Sequence, residues 1–150
     1  MKAIAENKQS RFDYEILEKF EAGLVLAGYE VKSIKTGHIS LRGSFVVIKN
    51  EEPWLLNAHI PPYQPKNTPE DYSPSRSRKL LLTRKEIKYL IGKSKEKGLT
   101  LVPLRVYTKR GKIKLEFGIG KGRKKIDKRE LIKKREVKRE IERTLKYGTR

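Results

Sequence analysis

Few residues in this chain have the types and spacing for acid–base, metal or nucleophilic chemistry. His38 and His59, its two histidines, stand on separate segments without a ligand-spaced neighbour, so no metal site is expected. Cysteine is absent, which removes disulfides, thiolate ligands and thiol nucleophiles. No serine occupies a nucleophile elbow. The glycine-rich Gly118-Ile119-Gly120-Lys121-Gly122 lacks the Lys-Ser/Thr of a phosphate-binding P-loop and precedes no apolar helix. Glu21 and Glu30 could face one another, but two carboxylates do not make an acid–base pair. In so basic a chain an exposed glutamate can instead accept hydrogen bonds from sugar hydroxyls or base edges. No enzyme, no metal and no cofactor is expected.

The chemistry that is abundant is electrostatic. It is densest at Gly120-Lys121-Gly122-Arg123-Lys124-Lys125-Ile126-Asp127-Lys128-Arg129. Across 150 residues, 37 Lys and Arg stand against 18 acidic residues, a net charge of +19. Such an excess repels itself in a compact state and calls for an anionic partner, either nucleic acid or an anionic membrane. No apolar run approaches a membrane span, and Met1 to Asn7 lacks the apolar core of a signal peptide. A cytoplasmic protein with no membrane partner is therefore expected. Residues 121–150 carry 14 basic and 5 acidic side chains, the first 120 residues 23 and 13. One fifth of the chain thus holds nearly half the charge, and no aromatic lies between Phe117 and Tyr147.

The elements that must position these charges are mostly strands. Residues 1–12 read as a loosely held polar arm. From Tyr14, Phe20, Ala22, Leu24 and Leu26 alternate as in a strand with one face on a core. A short helix is predicted over 29–35, stopped by Gly37. Phe45–Ile48 and Trp54–Ile60 form a predicted hairpin around the turn Asn50-Glu51-Glu52-Pro53. Residues 61–78 hold five of the seven prolines and read as a long irregular loop. Arg76, Arg78 and Lys79 close that loop as a basic cluster, and Leu80-Leu81-Leu82 then enters the core. Thr83 and Glu86 make a capping box before the stripe Ile87, Leu90, Ile91, and Lys97-Gly98 ends that helix. Two long strands follow, Leu99–Tyr107 and one alternating at Ile113, Leu115, Phe117 and Ile119, joined at Lys109-Arg110-Gly111. The fold class expected is mainly β, an OB-fold-like Greek-key barrel over 13–125 with short flanking helices. Residues 126–150 form a basic tail. Its stripe Val137, Ile141, Leu145 is too narrow to pack on the barrel, so it is expected to become helical on binding. Fully helical, its roughly 20 core residues would span about 30 Å.

Several stretches together resemble one family, the SsrA-binding proteins, also called small protein B. They are Ala5-Glu6-Asn7-Lys8, Phe20-Glu21-Ala22-Gly23-Leu24, Gly28-Tyr29-Glu30-Val31-Lys32-Ser33-Ile34, Arg78-Lys79-Leu80-Leu81-Leu82, Lys97-Gly98-Leu99-Thr100-Leu101-Val102-Pro103-Leu104, and Lys121-Gly122-Arg123-Lys124-Lys125 with Asp127-Lys128-Arg129. The resemblance implies an adaptor that binds the tRNA-like domain of transfer-messenger RNA and delivers it to stalled ribosomes for trans-translation. It implies a monomer with two partners, that RNA and the ribosome. On this reading the RNA-binding residues are Asn7, Lys8, Glu21, Glu30, Lys32, Arg76, Arg78, Lys79, Leu81, Thr83, Lys121, Arg123, Lys124 and Lys125. Those meeting the decoding centre and message channel are Ile126, Asp127, Lys128, Arg129, Lys134, Arg135, Lys138, Arg139, Arg143 and Leu145. Relatives usually carry Tyr or His at Ile126 and often Asn or His at Thr83. Ile126 offers an apolar contact where an aromatic ring would stack. The alternative reading is a structural ribosomal protein that binds ribosomal RNA. A third, an RNA-modifying or RNA-cleaving enzyme, is disfavoured by the lack of clustered acid–base residues.

Overall fold

Seven antiparallel strands form one sheet that closes on itself. The structure is a computed structural model that describes residues 3–147, with side chains through Leu145. The strands are β1 (Ala3–Glu6), β2 (Tyr14–Leu24), β3 (Phe45–Lys49), β4 (Glu52–Leu56), β5 (Arg78–Leu81), β6 (Leu99–Lys109) and β7 (Lys112–Gly122). The helices are α1 (Lys8–Asp13), α2 (Gly28–Lys35), α3 (Arg84–Ser94) and α4 (Lys125–Tyr147). The order β1-β6-β3-β4-β5-β2-β7 is completed by a β6–β7 pairing, which closes a ring of six with β1 added beside β6. Closure covers most strand edges, and β1 takes up the stretch of β6 that runs past its pairing with β3. The mainly β barrel expected from the alternating stretches is what forms.

β7 shows why the ring closes where it does. Ile113, Leu115, Phe117 and Ile119 point into the barrel and are buried, while Lys112, Lys114 and Glu116 face outward. Such an alternating strand can be a wall of a closed barrel, because one face meets core and the other water. Gly118 and Gly120 sit where no Cβ fits easily. A Cβ on Gly118 would lie 2.7 Å from the Glu18 carbonyl oxygen, and one on Gly120 would lie 3.0 Å from Tyr14 Cβ. These glycines let β2 press against β7. The strand runs on to Gly122, so Lys121 pairs with Glu15 on β2 and Leu99 on β6. The start of the basic stretch is thus barrel wall, not a free junction.

The strand readings need three corrections. Ala3–Glu6 is not a loose arm. It pairs with β6, and Asn7 behind it is buried, donating to the carbonyls of Leu41 (3.4 Å) and Pro103 (3.2 Å) and accepting from Ser10 N (3.3 Å). The turn of the β3–β4 hairpin is Asn50-Glu51, both with positive φ, so Pro53 lies within β4, opposite Ile48. Leu80 is buried but Leu81 is 56% exposed, because strand alternation sends neighbours to opposite faces. The α3 capping box is present as expected: Thr83 Oγ1 accepts from Glu86 N (3.2 Å) and Glu86 Oε1 accepts from Thr83 N (3.1 Å). That helix ends at Ser94, and Gly98 (φ +83°) turns the chain into β6.

Candidate nucleic-acid interface

Glu21 is held near the turn end of the β6–β7 hairpin. β2 places it opposite Glu116 on β7, and β6 carries Tyr107 and Lys109 to its carboxylate. The Tyr107 ring is buried and its hydroxyl donates to Glu21 Oε2, while Lys109 Nζ lies 3.4 Å from Oε1. The tyrosine hydrogen bond, aided by Lys109 and Lys114 against the cost of partial burial, holds the Glu21 carboxyl below its ordinary value. Burial and the same carboxylate push the Tyr107 hydroxyl up. Glu21 is therefore an anion with a fixed direction. Lys109, Arg110, Lys112 and Lys114 line an open pocket of about 350 Å³ with it. Beside it, sharing Lys112 and Lys114, Leu81 forms an apolar groove of about 360 Å³ with Leu24, Leu26, Val31 and Ile113. Gly23 opens the floor there, since a Cβ on it would stand 3.3 Å from Leu81 Cβ. The three parts suit a structured RNA. Cations grip phosphates, a carboxylate accepts from base N–H or ribose hydroxyl groups, and an apolar groove covers a base or ribose face.

The far end of the barrel carries the tail. Asp127 Oδ2 accepts from Lys124 N (3.2 Å), an anion at a helix start where the dipole favours it. Lys128 Nζ pairs with Asp13 of α1 (3.1 Å), and Lys128 and Arg135 lie over the Phe12 ring at 5.8 and 5.5 Å. The first turns of α4 thus rest on α1, whereas Val137 and Ile141 are exposed. The narrow stripe does not join the core, as expected, but the tail, expected to become helical on binding, is already the helix Lys125–Tyr147 in the chain alone, its base held by charged and aromatic contacts to α1. The side chain of Lys146, which the favourable i, i+4 spacing would pair with Glu142, and residues 148–150 of the tail lie outside the described residues.

A family model described as SmpB protein matches residues 4–147. The chain belongs to the SmpB protein family. It is similar to the SsrA-binding protein of Acaryochloris marina (strain MBIC 11017), at 54% identity over 98% of this chain and 96% of that one. The SsrA-binding protein of Thermosynechococcus vestitus is 51% identical, covering 97% of this chain and 96% of the relative. That of Sulfurihydrogenibium sp. is 53% identical, covering 97% and 95%. Among solved structures, a chain described under "tmRNA-SmpB: a journey to the center of the bacterial ribosome" matches with a TM-score of 0.66 and 42% identity, covering 85% of this chain and 93% of that one.

Within this SmpB fold, the residues singled out from sequence divide sharply. Glu30, Arg76 and Arg78 are not an open basic surface. Arg78 is fully buried: its Nε and Nη2 donate to Glu30 Oε2 (3.0 and 2.7 Å), and its guanidinium also donates to the carbonyls of Ala58 (2.6 Å) and Pro74 (2.9 Å). Arg76 donates to Glu30 Oε1, which also accepts from Ala27 N (3.0 Å). The Tyr72 hydroxyl accepts from Arg78 Nη2 (3.0 Å) and donates to the Ile60 carbonyl (2.7 Å). Burial alone would raise the Glu30 carboxyl, but the arginines and the Ala27 N–H outweigh it and hold it below its ordinary value. Burial, with Glu30 beside it, pushes Tyr72 up to about 12. This network clasps the proline-rich loop to α2, and Glu30 does not face Glu21. Asn7 is likewise spent on the fold. Lys79 is half-exposed beside Glu52 (3.5 Å), and the Thr83 hydroxyl is committed to its cap. Lys8, Lys32, Lys121, Lys124, Lys125, Ile126, Arg129, Lys134, Lys138, Arg139 and Arg143 are exposed. Arg123 is half-buried, and its N–H donates to the Asp13 carbonyl (2.8 Å). Leu145 lies exposed near the end of α4. Sequence reasoning took Lys109 and Arg110 for a turn and Lys112 and Lys114 for a strand face, and so missed four cations of the Glu21 end. Their close spacing on either side of Gly111 was the available signal.

Proposed function

We propose that this chain is an adaptor that binds the tRNA-like domain of transfer-messenger RNA at the Glu21 end of its barrel and brings that RNA to stalled ribosomes for trans-translation. The observation that carries the reading is the Tyr107-fixed Glu21 carboxylate, set among four cations beside an apolar groove, in a chain whose relatives are named SsrA-binding proteins. The cations draw any polyanion. A carboxylate in their midst repels bare phosphate, so an RNA gains there only if it presents hydrogen-bond donors to Glu21. Discrimination thus comes from a repulsive element as well as attractive ones. The work is recognition and positioning, with no bond made or broken, and takes place in the cytoplasm. No helix among the described residues is long and apolar enough to cross a membrane.

The tail completes the reading. Residues 13–125 supply RNA capture, and residues 126–150 meet the ribosome, with Asp127 setting the start of α4 and Lys128, Arg129 and the later cations tracking phosphates. Sequencing the RNA recovered with the protein from cells is the direct test. One dominant tRNA-like RNA supports the adaptor, and bulk ribosomal RNA alone refutes it. Deleting residues 130–150 should leave tRNA-like RNA binding largely intact while abolishing tagging of proteins made from messages without stop codons. Normal tagging by the truncated chain would overturn the division of labour.

A further inference from the structure

Glu21 has a neighbour that ought to repel it. Its partner across the β2–β7 ladder is Glu116. Residues directly opposite in an antiparallel pair share a face, with Cβ atoms about 5 Å apart. The register continues through the barrel wall: Glu116 is opposite Arg105 on β6, and Arg105 is opposite Glu6 on β1. One row across four strands therefore reads Glu6, Arg105, Glu116, Glu21, three carboxylates and a single cation. Like charges facing each other across a ladder destabilise it, yet the Glu21 carboxyl lies below its ordinary value. Arg105 resolves the conflict. Its Nη2 donates to Glu116 Oε2 (3.2 Å), with both side chains largely buried. Among the described residues it pairs with Glu116, beside Glu21, and not with Glu6. Its guanidinium carbon also lies 4.9 Å from the centroid of the Tyr107 ring, whose hydroxyl aims Glu21.

We propose that Arg105 is a positioning residue for recognition at Glu21: by engaging Glu116 and lying on the Tyr107 ring, it leaves Glu21 as a lone, aimed acceptor. The inference rests on the adaptor reading and adds to that site a residue that touches no RNA itself. The groups that face Glu21 make Glu116 the one that matters. β6 brings the Tyr107 hydroxyl and Lys109, β7 brings Lys112 and Lys114, and the turn between them brings Arg110. Among these described residues, Glu116 alone has a charge that opposes a second anion. A guanidinium bound to it cancels that charge within the row. The same pair reaches the bond that orients Glu21. Beyond the burial and the Glu21 carboxylate that push the Tyr107 hydroxyl up, Glu116 raises it further and Arg105 works against the rise. Arg105 Nε is buried without a hydrogen-bond partner. An unanswered N–H is a cost, which the contact with the ring and the pair with Glu116 must outweigh. Its place is thus dictated by those two neighbours, both of which bear on Glu21.

The test uses the full chain, a tRNA-like RNA and the variants R105Q, R105K, E116Q and R105Q/E116Q. Affinity is measured at physiological salt, and the Glu21 carboxyl is titrated by carbon-13 NMR without RNA. R105Q should weaken RNA binding about tenfold and move the Glu21 titration to higher pH, because an unpaired Glu116 disfavours a second charge beside it. R105K keeps the charge without the planar fork and should stay within about threefold of the wild type. E116Q alone should not weaken binding. R105Q/E116Q should return both affinity and titration to near their wild-type values, a coupling that two independent losses would not show. The salt dependence of R105Q should match the wild type, since no phosphate contact is lost. A slope flattened by about 0.7–0.9 with no recovery in the double variant would mean that Arg105 grips RNA directly, and overturns the proposal. An unmoved Glu21 titration in folded R105Q overturns it as well. Urea denaturation checks the fold. If R105Q does not fold, R105Q/E116Q, which leaves neither charge unpaired, decides the question: wild-type affinity supports the role, and a loss of about tenfold overturns it. Failure of the wild type to bind the tRNA-like RNA counts against the adaptor reading, while the Glu21 titration, which needs no RNA, still decides the role of Arg105.

Discussion

Glu21 and Glu30 are the same residue, nine positions apart in one basic chain, and the fold uses them in opposite ways. Glu30 is fully buried and meets two arginines, a backbone N–H and a tyrosine hydroxyl. Glu21 is half-exposed and meets one tyrosine hydroxyl and one lysine, with capacity left on the side that faces solvent. A buried carboxylate must have every lone pair answered inside the protein, because an unanswered one costs several kcal/mol. One at a rim can keep lone pairs open for a ligand. The contrast separates residues spent on stability from residues available for binding, even where both lie in segments that resemble the same family.

The sharpest way to break the comparison is to neutralise each carboxylate. Glu30→Gln leaves Arg78 charged and buried, and breaking a buried pair in this way costs about 3–5 kcal/mol. Urea denaturation should show that loss, with tRNA-like RNA affinity falling only as far as the folded fraction falls. Unchanged stability would mean the clasp does not hold the proline-rich loop. The wild-type chain carries the same effect in its acid limb. Glu30 has a folded value depressed below the ordinary 4.5, so its stabilisation is complete above pH 4.5 and lost as the pH falls through the folded value. The wild type should therefore lose stability as the pH falls below 4.5, and Glu30→Gln should remove that part of the pH dependence.

At Glu21 the expected effect moves from folding to recognition. Glu21→Gln should leave the urea midpoint nearly unchanged and weaken tRNA-like RNA binding about tenfold, equivalent to about 1.4 kcal/mol. Binding of an unstructured polyanion should stay level or strengthen, because a repelling charge has gone. Tighter binding of the tRNA-like RNA by the variant would show that Glu21 makes no specific contact. Thr83 tests the boundary between the two cases, being exposed yet committed to a cap. Thr83→Ala should cost about 1 kcal/mol of stability and change RNA affinity less than twofold. A tenfold loss of affinity without loss of stability would place Thr83 with Glu21.

What could be read before folding was mostly local. The α3 capping box, the β6–β7 hairpin with its Arg110-Gly111 turn, and Asp127 at the start of α4 all depend on residues within a few positions of one another, where spacing carries the physics. What could not be read depended on distant partners. Arg78 finds Glu30 48 residues away, and Arg76 finds it 46 away, so a basic cluster after a proline-rich loop looked open. Strand alternation held a partial warning: Arg78 shares the inward face with Leu80, and Lys79 shares the outward face with Leu81. The strand Ala3–Glu6 is four residues with little β propensity. It exists because β6 offers it an edge, which its own sequence does not reveal. Tyr107 read as a core strand residue, and the hydroxyl that aims Glu21 became visible only when β2 and β6 were brought together.

Ring closure also sets a clock. Glu21 leaves the ribosome early in synthesis, but the tyrosine and lysine that orient it follow 86 and 88 residues later. The strand that closes the barrel, β7, ends at Gly122. Domains fold as units as the chain emerges, and pairings this remote in sequence are slow to form. A nascent chain cut short anywhere before β7 therefore has its carboxylate but no pocket around it, and cannot compete for the RNA that the finished protein binds. In effect the last strand proofreads the completeness of its own chain, and only a body translated nearly to its end gains a recognition surface.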